Sequence, residues 1–163
     1  MGHMNTDSSQ ALQAPTLSRF ADLSIQVATP VEVGAVGAGV RRVIAILGGT
    51  CQARDWTARV LPGGADFQLI VSDRCAQLDA RYVMETDAGD RIYVQNQALR
   101  TATPQVSARL ARGEPVDPAD VYFRCVPRFE VASRSLAWMT ERVFLGAGVR
   151  RPGDVVLRFF EVI

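Results

Sequence analysis

Residues 20–27 alternate, with Leu23, Ile25 and Val27 on one face and Ser24 and Gln26 on the other, the two-residue period of a half-buried strand. The same period predicts strands at 40–47 (V-R-R-V-I-A-I-L), 56–61, 65–71, 78–86, 91–95, 121–126 and 155–162, with shorter extended pieces at 129–131, 135–139 and 143–145. Breakers separate them: Gly48-Gly49, Pro62-Gly63-Gly64 and the run Asp87-Ala88-Gly89-Asp90. Residues 30–39 read as a connector, and Pro127 as an interruption. Only one segment carries a helical signature, with Thr103 as N-cap, Pro104 at the first helical position, Val106 and Leu110 as an apolar stripe and Gly113 as the stop. Roughly nine or ten short strands with a single helix predict an all-β barrel or sandwich.

The stretch 61–82 gathers polar groups in a pattern that suggests chemistry. Asp66, Gln68 and Ile70 share one face of its first run, with Ala65, Phe67, Leu69 and Val71 on the other. In the second run Asp79 and Arg81 share a face, opposite Leu78, Ala80, Tyr82 and Met84. A carboxylate and an amide thus stand together beside a glycine pair that lets another group approach closely. An ordinary hairpin with one wetted face accounts for the same alternation. The choice turns on closure: in a barrel an isolated charge on an apolar strand points into a lumen, and in a sandwich it lies outside. A barrel of about eight strands is just wide enough to hold side chains or one small ligand.

Composition narrows the chemistry. The 163 residues are 48% hydrophobic and 21% charged with a formal net charge of +1, which suits one globular domain with no electrostatic pull toward nucleic acid or anionic lipid. No apolar run approaches the ~20 residues of a membrane-spanning helix. Met1-Gly2-His3-Met4 has the look of a vector remnant, so residues 1–16 read as that remnant and a flexible N-terminus ahead of a single domain at 17–163. With no secretion signal behind it, a cytoplasmic location is expected. The only histidine is His3, and all 18 basic residues are arginine. Histidine-based nucleophile systems, ordinary zinc sites, Schiff bases and a phosphate-loop lysine are thereby excluded from the domain, and no metal or cofactor is expected. The sequence G-A-V-G-A-G at 34–39 lacks both that lysine and the strand-loop-helix setting of a nucleotide loop. Proton transfer falls to Asp, Glu, Tyr, Cys or water, with arginine as the fixed cation. Cys51, Cys75 and Cys125 are an odd number without short spacing, as expected of small buried residues in a reducing compartment.

Several motifs together form a recognisable set: G-G-T at 48–50, L-P-G-G-A-D-F-Q at 61–68, L-D-A-R-Y at 78–82, T-D-A-G-D at 86–90, I-Y-V-Q-N at 92–96, Y-F-R-C-V-P-R-F-E at 122–130 and A-W-M at 137–139. In these the chain resembles the bacterial and fungal family catalogued as domain of unknown function 3237, from about Phe20 to its end. The resemblance implies an antiparallel β-barrel of the calycin or allene-oxide-cyclase kind and brings no general activity with it. Phe67 stands where Trp is expected, and Arg74-Cys75 where Asp-Gly is usual.

Three functions are open on these residues. The first is a cofactor-independent isomerase, cyclase or lyase acting on a small, largely apolar molecule. In it Asp66 and Asp79 serve as acid/base groups, Arg81 and Arg124 hold a carboxylate or oxyanion, and Gln68, Tyr93, Asn96, Glu130 and Trp138 bind or wall the substrate. The second is a non-catalytic carrier of a small hydrophobic ligand. The third is a structural barrel filled by its own side chains, with apolar outer faces compatible with a homodimer. Structural explanations compete for several residues: Asp79 with Arg81 as a plain ion pair, Glu130 as a salt-bridge partner, Trp138 as core.

Overall fold

The computed structural model describes residues 12–163. Ten strands follow in order: β1 (Leu17–Val27), β2 (Val31–Val36), β3 (Gly39–Ala53), β4 (Thr57–Val60), β5 (Ala65–Ile70), β6 (Cys75–Thr86), β7 (Arg91–Thr101), β8 (Tyr122–Val131), β9 (Phe144–Arg151) and β10 (Asp154–Val162). All their pairings are antiparallel, and β1 joins β10 on one side and β3 on the other, which closes the sheet into a barrel. Strands β4 and β5 occupy one slot between β3 and β6, one toward each end, so eight positions complete the circumference. Strand β2 is additional and pairs with the first part of β3. The sequence pattern left barrel and sandwich open; closure through β1 and β3 decides for the barrel.

Three local expectations are corrected. The connector at 30–39 contains β2, whose pairing with β3 shifts register between Glu32 and Gly34, and Gly34 takes a positive φ there. Pro127 does not interrupt β8. It pairs with Asn96 of β7, while β8 meets β9 only at Arg124 and Cys125, so no ladder bond is lost for want of its N–H. The piece at 135–139 is not extended but part of a 3-10 segment, Arg134–Glu141, whose Leu136 and Met139 repeat every three residues and are both buried. The one expected helix, α1 (Pro104–Ala111), is present, with the Thr103 hydroxyl accepting from the Val106 N–H. No helix among the described residues is long and apolar enough to cross a membrane.

Inward residues differ along the barrel axis. At one end Phe20, Trp56, Phe129 and Phe144 pack with Trp138 of the 3-10 segment, edge to face or tilted, with ring centroids 4.9 to 6.1 Å apart. Such rings bury large apolar areas and resist parting. At the other end the strands send in Arg42, Asp66, Gln68, Arg100 and Arg150, and α1 lies beside them. The barrel is plugged by hydrocarbon at one mouth and lined by charge at the other.

The β4–β5 slot depends on one glycine. Leu61 to Gly64 bulges between Val60, paired with Met84, and Ala65, paired with Arg81; the Gly64 carbonyl still accepts from the Ile46 N–H at 2.9 Å. A Cβ on Gly64 would run into the Arg81 carbonyl oxygen and lie 2.9 Å from the Tyr82 Cα, both of them backbone. Gly64→Ala is expected to destabilise the protein by roughly 2–4 kcal/mol, measured by urea unfolding. Gly37→Ala, which meets no atom within 4 Å, should leave the midpoint nearly unchanged.

Candidate functional site

The charged end of the lumen is assembled by alternation. Arg42 lies in phase with Ile44 and Ile46 on β3, Arg100 with Ile92, Val94 and Asn96 on β7, and Arg150 with Phe144 and Gly146 on β9, so each shares the inward face with buried apolar neighbours. Asp66 and Gln68 come in from β5. A hydrogen-bonded chain runs across them. The Arg42 Nε–H donates to Gln68 Oε1 at 2.8 Å, and Gln68 Nε2–H donates to Asp66 Oδ2 at 2.6 Å. The Asp79 backbone N–H donates to Asp66 Oδ1 at 3.2 Å. Below them lies a cavity of about 40 Å³, bordered by Tyr82, Asn96, Leu78, Phe123 and Leu157, room for one to a few waters by the usual measure of roughly 10–15 Å³ each. Two larger depressions flank α1 at the mouth. One, of about 290 Å³, is lined by Arg42, Arg100 and Arg150; the other, of about 210 Å³, by Arg42 and Arg100.

Of the residues singled out in the sequence, Asp66, Gln68 and Asn96 border the lumen. Asp79, Arg81, Tyr93, Arg124 and Glu130 do not: each alternates with an inward residue (Leu78, Tyr82, Val94, Cys125, Phe129) and stands on the outer wall. There Asp79 and Arg81 form an ion pair at 3.0 Å, Gln95 donates to Asp79, and the Arg124 guanidinium lies 5.1 Å from the Tyr122 ring centre. Asp79 and Arg124 face an open outer groove of about 820 Å³ that also shows Phe67, Leu99 and Val126. Trp138 belongs to the aromatic plug, packed on Phe20 at 5.7 Å, at the far end from Asp66. Sequence reasoning missed Arg42, Arg100, Arg150 and Tyr82. The signal was partial: Arg42 and Tyr82 fall on predicted strands in phase with apolar neighbours, whereas Arg100 and Arg150 lie beyond the expected strands at 91–95 and 143–145, which β7 and β9 extend.

Electrostatics sets the lumen apart from the surface. Burial raises the Asp66 carboxyl above its ordinary 3.8, and hydrogen bonds from Gln68 and the Asp79 N–H, with the fields of Arg100 and Arg42, only partly offset it. Burial, with Arg42 and Arg150 as like-charged neighbours, pushes Arg100 down to about 10, which still leaves it charged at neutral pH. The Tyr82 hydroxyl is fully buried and pushed well up by desolvation, so it is a neutral phenol. Its oxygen and the Asn96 Oδ1 have no hydrogen-bond partner among the described residues. Cys51 and Cys125 are pushed up by burial to about 12 and about 11, so neither offers a thiolate. No group of three or more His, Cys, Asp or Glu that would hold a metal occurs among the described residues. The arrangement therefore joins one carboxyl of raised proton affinity to fixed positive charge at a mouth with room for a small molecule.

Asp22 on the outer wall provides the contrast. Arg158 donates to it at 2.7 Å, and hydrogen bonds from Arg158 and Arg19 hold its carboxyl below the ordinary value. A carbon-13 carboxyl NMR titration should find Asp66 ionising above Asp22. The linkage signs are opposite. Asp22 contributes stability at neutral pH that is lost as pH falls through its lowered value, whereas Asp66 keeps its proton longer when folded and takes stability away as pH rises from 3.8 through its raised value. Asp66→Asn should remove that second decline from the pH–stability curve.

Comparison with known proteins places the fold among relatives. Residues 15–162 match the family described as "Protein of unknown function (DUF3237)". A UPF0311 protein from Rhodopseudomonas palustris is 38% identical over 141 residues, covering 86% of this chain and 92% of that one. The crystal structure of a conserved protein of unknown function from the same species superposes with a TM-score of 0.88 at 34% identity, over 93% of this chain and all of that one. The crystal structure of a protein from Penicillium herquei, described as an enzyme, shares the fold with a TM-score of 0.69 at 14% identity, over 93% of this chain and 97% of that one.

Proposed function

The chain belongs to the DUF3237 family, for which no activity is named, and from its own residues we propose that it is a cofactor-independent acid/base enzyme, an isomerase, cyclase or lyase acting on a small molecule at the charged mouth of the barrel. The observation that carries this reading is the Asp66 carboxyl, lifted by burial and set among arginines beside a cavity. A carboxyl moved toward neutrality exchanges a proton with a substrate more readily than one at its ordinary value. Asp66 is the acid/base group, with Gln68 fixing its orientation through the chain to Arg42. Positive charge at the mouth stabilises the enolate or oxyanion that proton removal creates. Asn96 and Tyr82 present polar atoms to the lower part of the lumen. The cavity beside Asp66, at about 40 Å³, takes no more than the reacting end of a substrate, whose body rests in the larger depressions. The fungal fold neighbour called an enzyme is consistent with chemistry in a barrel of this shape.

Proton transfer is measurable without knowing the product. The protein is incubated in deuterium oxide with a panel of small enolisable keto acids and ketones, and exchange at the carbon next to the carbonyl is followed by NMR. The wild type should catalyse exchange on at least one of them, and Asp66→Asn should lose it by on the order of a hundredfold or more. Undiminished exchange in Asp66→Asn would remove Asp66 from the mechanism. Asp79→Asn, on the outer wall, should exchange as the wild type does.

A further inference from the structure

Ten arginines reach a carboxylate within 4 Å, and all ten are at least one third exposed. Arg42 and Arg100 are far more buried, at 6% and 8% exposure, and Arg150 is half-buried, yet none of these three pairs with a carboxylate among the described residues. Arg42 has the amide oxygen of Gln68 for its Nε–H, and the guanidinium groups of Arg100 and Arg150 have no hydrogen bond among the described residues.

Three like charges from three strands thus converge on one depression, and desolvation lowers the pKa of all three. Arg42 depresses both Arg100 and Arg150, and Arg150 depresses Arg100. Asp66 is the inner carboxyl that all three feel, and burial favours its protonated form; of the three arginines Glu32 acts on Arg42 alone, and Asp154, itself paired with Arg151, on Arg150 alone. Buried guanidinium groups clustered without a carboxylate paired directly to any of them are destabilising, and a fold retains that cost where the charges have a use. All three line the depression of about 290 Å³ beside α1, whose other borders include Val27, Pro30 and Leu110.

We infer that Arg42, Arg100 and Arg150 form an anion-binding site for a small organic carboxylate, its carboxylate held by guanidinium forks and its apolar body resting against Val27, Pro30 and Leu110. This deepens the proposed activity by assigning the substrate a charged group, and rests on that reading only in treating the bound acid as a substrate. Binding itself is measured without turnover.

The test uses benzoate, its neutral counterpart benzamide, and inorganic phosphate as probes, by isothermal titration calorimetry and thermal shift at low chloride. Benzoate should bind the wild type and raise its melting temperature, with benzamide doing neither. Arg100→Met should weaken benzoate at least about tenfold, and its unliganded form should melt no lower than the wild type because a buried like charge has been removed. If Arg100→Met fails to fold, Arg150→Gln, at a half-buried position, is read for the same loss; Arg128→Gln, on the outer wall, should bind as the wild type does. Equal effects of benzoate and benzamide, or full benzoate affinity in both lumen variants, would overturn the anion site, and phosphate binding in preference to benzoate would overturn the carboxylate assignment. Asp66→Asn removes a carboxyl from beside the three arginines and should bind benzoate at least as tightly as the wild type while losing exchange, so a failed exchange experiment and a failed binding experiment point to different readings.

Discussion

Eight strands closing on one another enclose a bore about as wide as two facing side chains are long. Nothing can be placed in such a bore without displacing something else, so every second residue of each strand is committed to filling it, lining it or charging it. In this barrel the lower half is filled: the rings of Phe20, Phe129 and Phe144 meet at 4.9 to 6.1 Å and leave no passage. The upper half is charged, and long guanidinium side chains there repel one another rather than interlock. The division between a packed half and a strained half sets the charged mouth apart from the rest of the lumen.

The two halves do opposite thermodynamic work. Apolar burial around the plug contributes favourably at roughly 25 cal/mol per Å², whereas charges withdrawn from water and left facing one another cost several kcal/mol each. The closed ladder and the plug hold the barrel, and the arginine end is carried by them. Asp66 sits at the boundary. Its hydrogen bonds come from Gln68 and from a backbone N–H, groups fixed by the sheet itself, so the carboxyl is oriented by the wall while its proton affinity is set by the lumen.

Much of this was legible in the chain, and the rest was hidden for identifiable reasons. Alternation correctly put Asp66 with Gln68 on one side of β5 and Asp79 with Arg81 on one side of β6. It cannot say which side of each strand is inside, because that is decided by register between strands and by closure through β1. Thus Asp66 faced in and Asp79 faced out, though both had looked alike. Arg42, Arg100 and Arg150 were overlooked for different reasons: Arg42 fell on a predicted strand whose inward side the pattern does not fix, while the predicted strands at 91–95 and 143–145 stop short of Arg100 and Arg150, which the longer β7 and β9 carry inward. The 3-10 segment at Arg134–Glu141 escaped because five residues do not separate a period of three from a period of two.

Helix α1 spans only Pro104–Ala111, and none of its side chains is buried. It stands beside the arginines with little apolar area to surrender on lifting, whereas parting any two barrel strands breaks a hydrogen-bonded ladder. Displacing α1 is therefore a less costly way to expose the upper lumen than parting two strands.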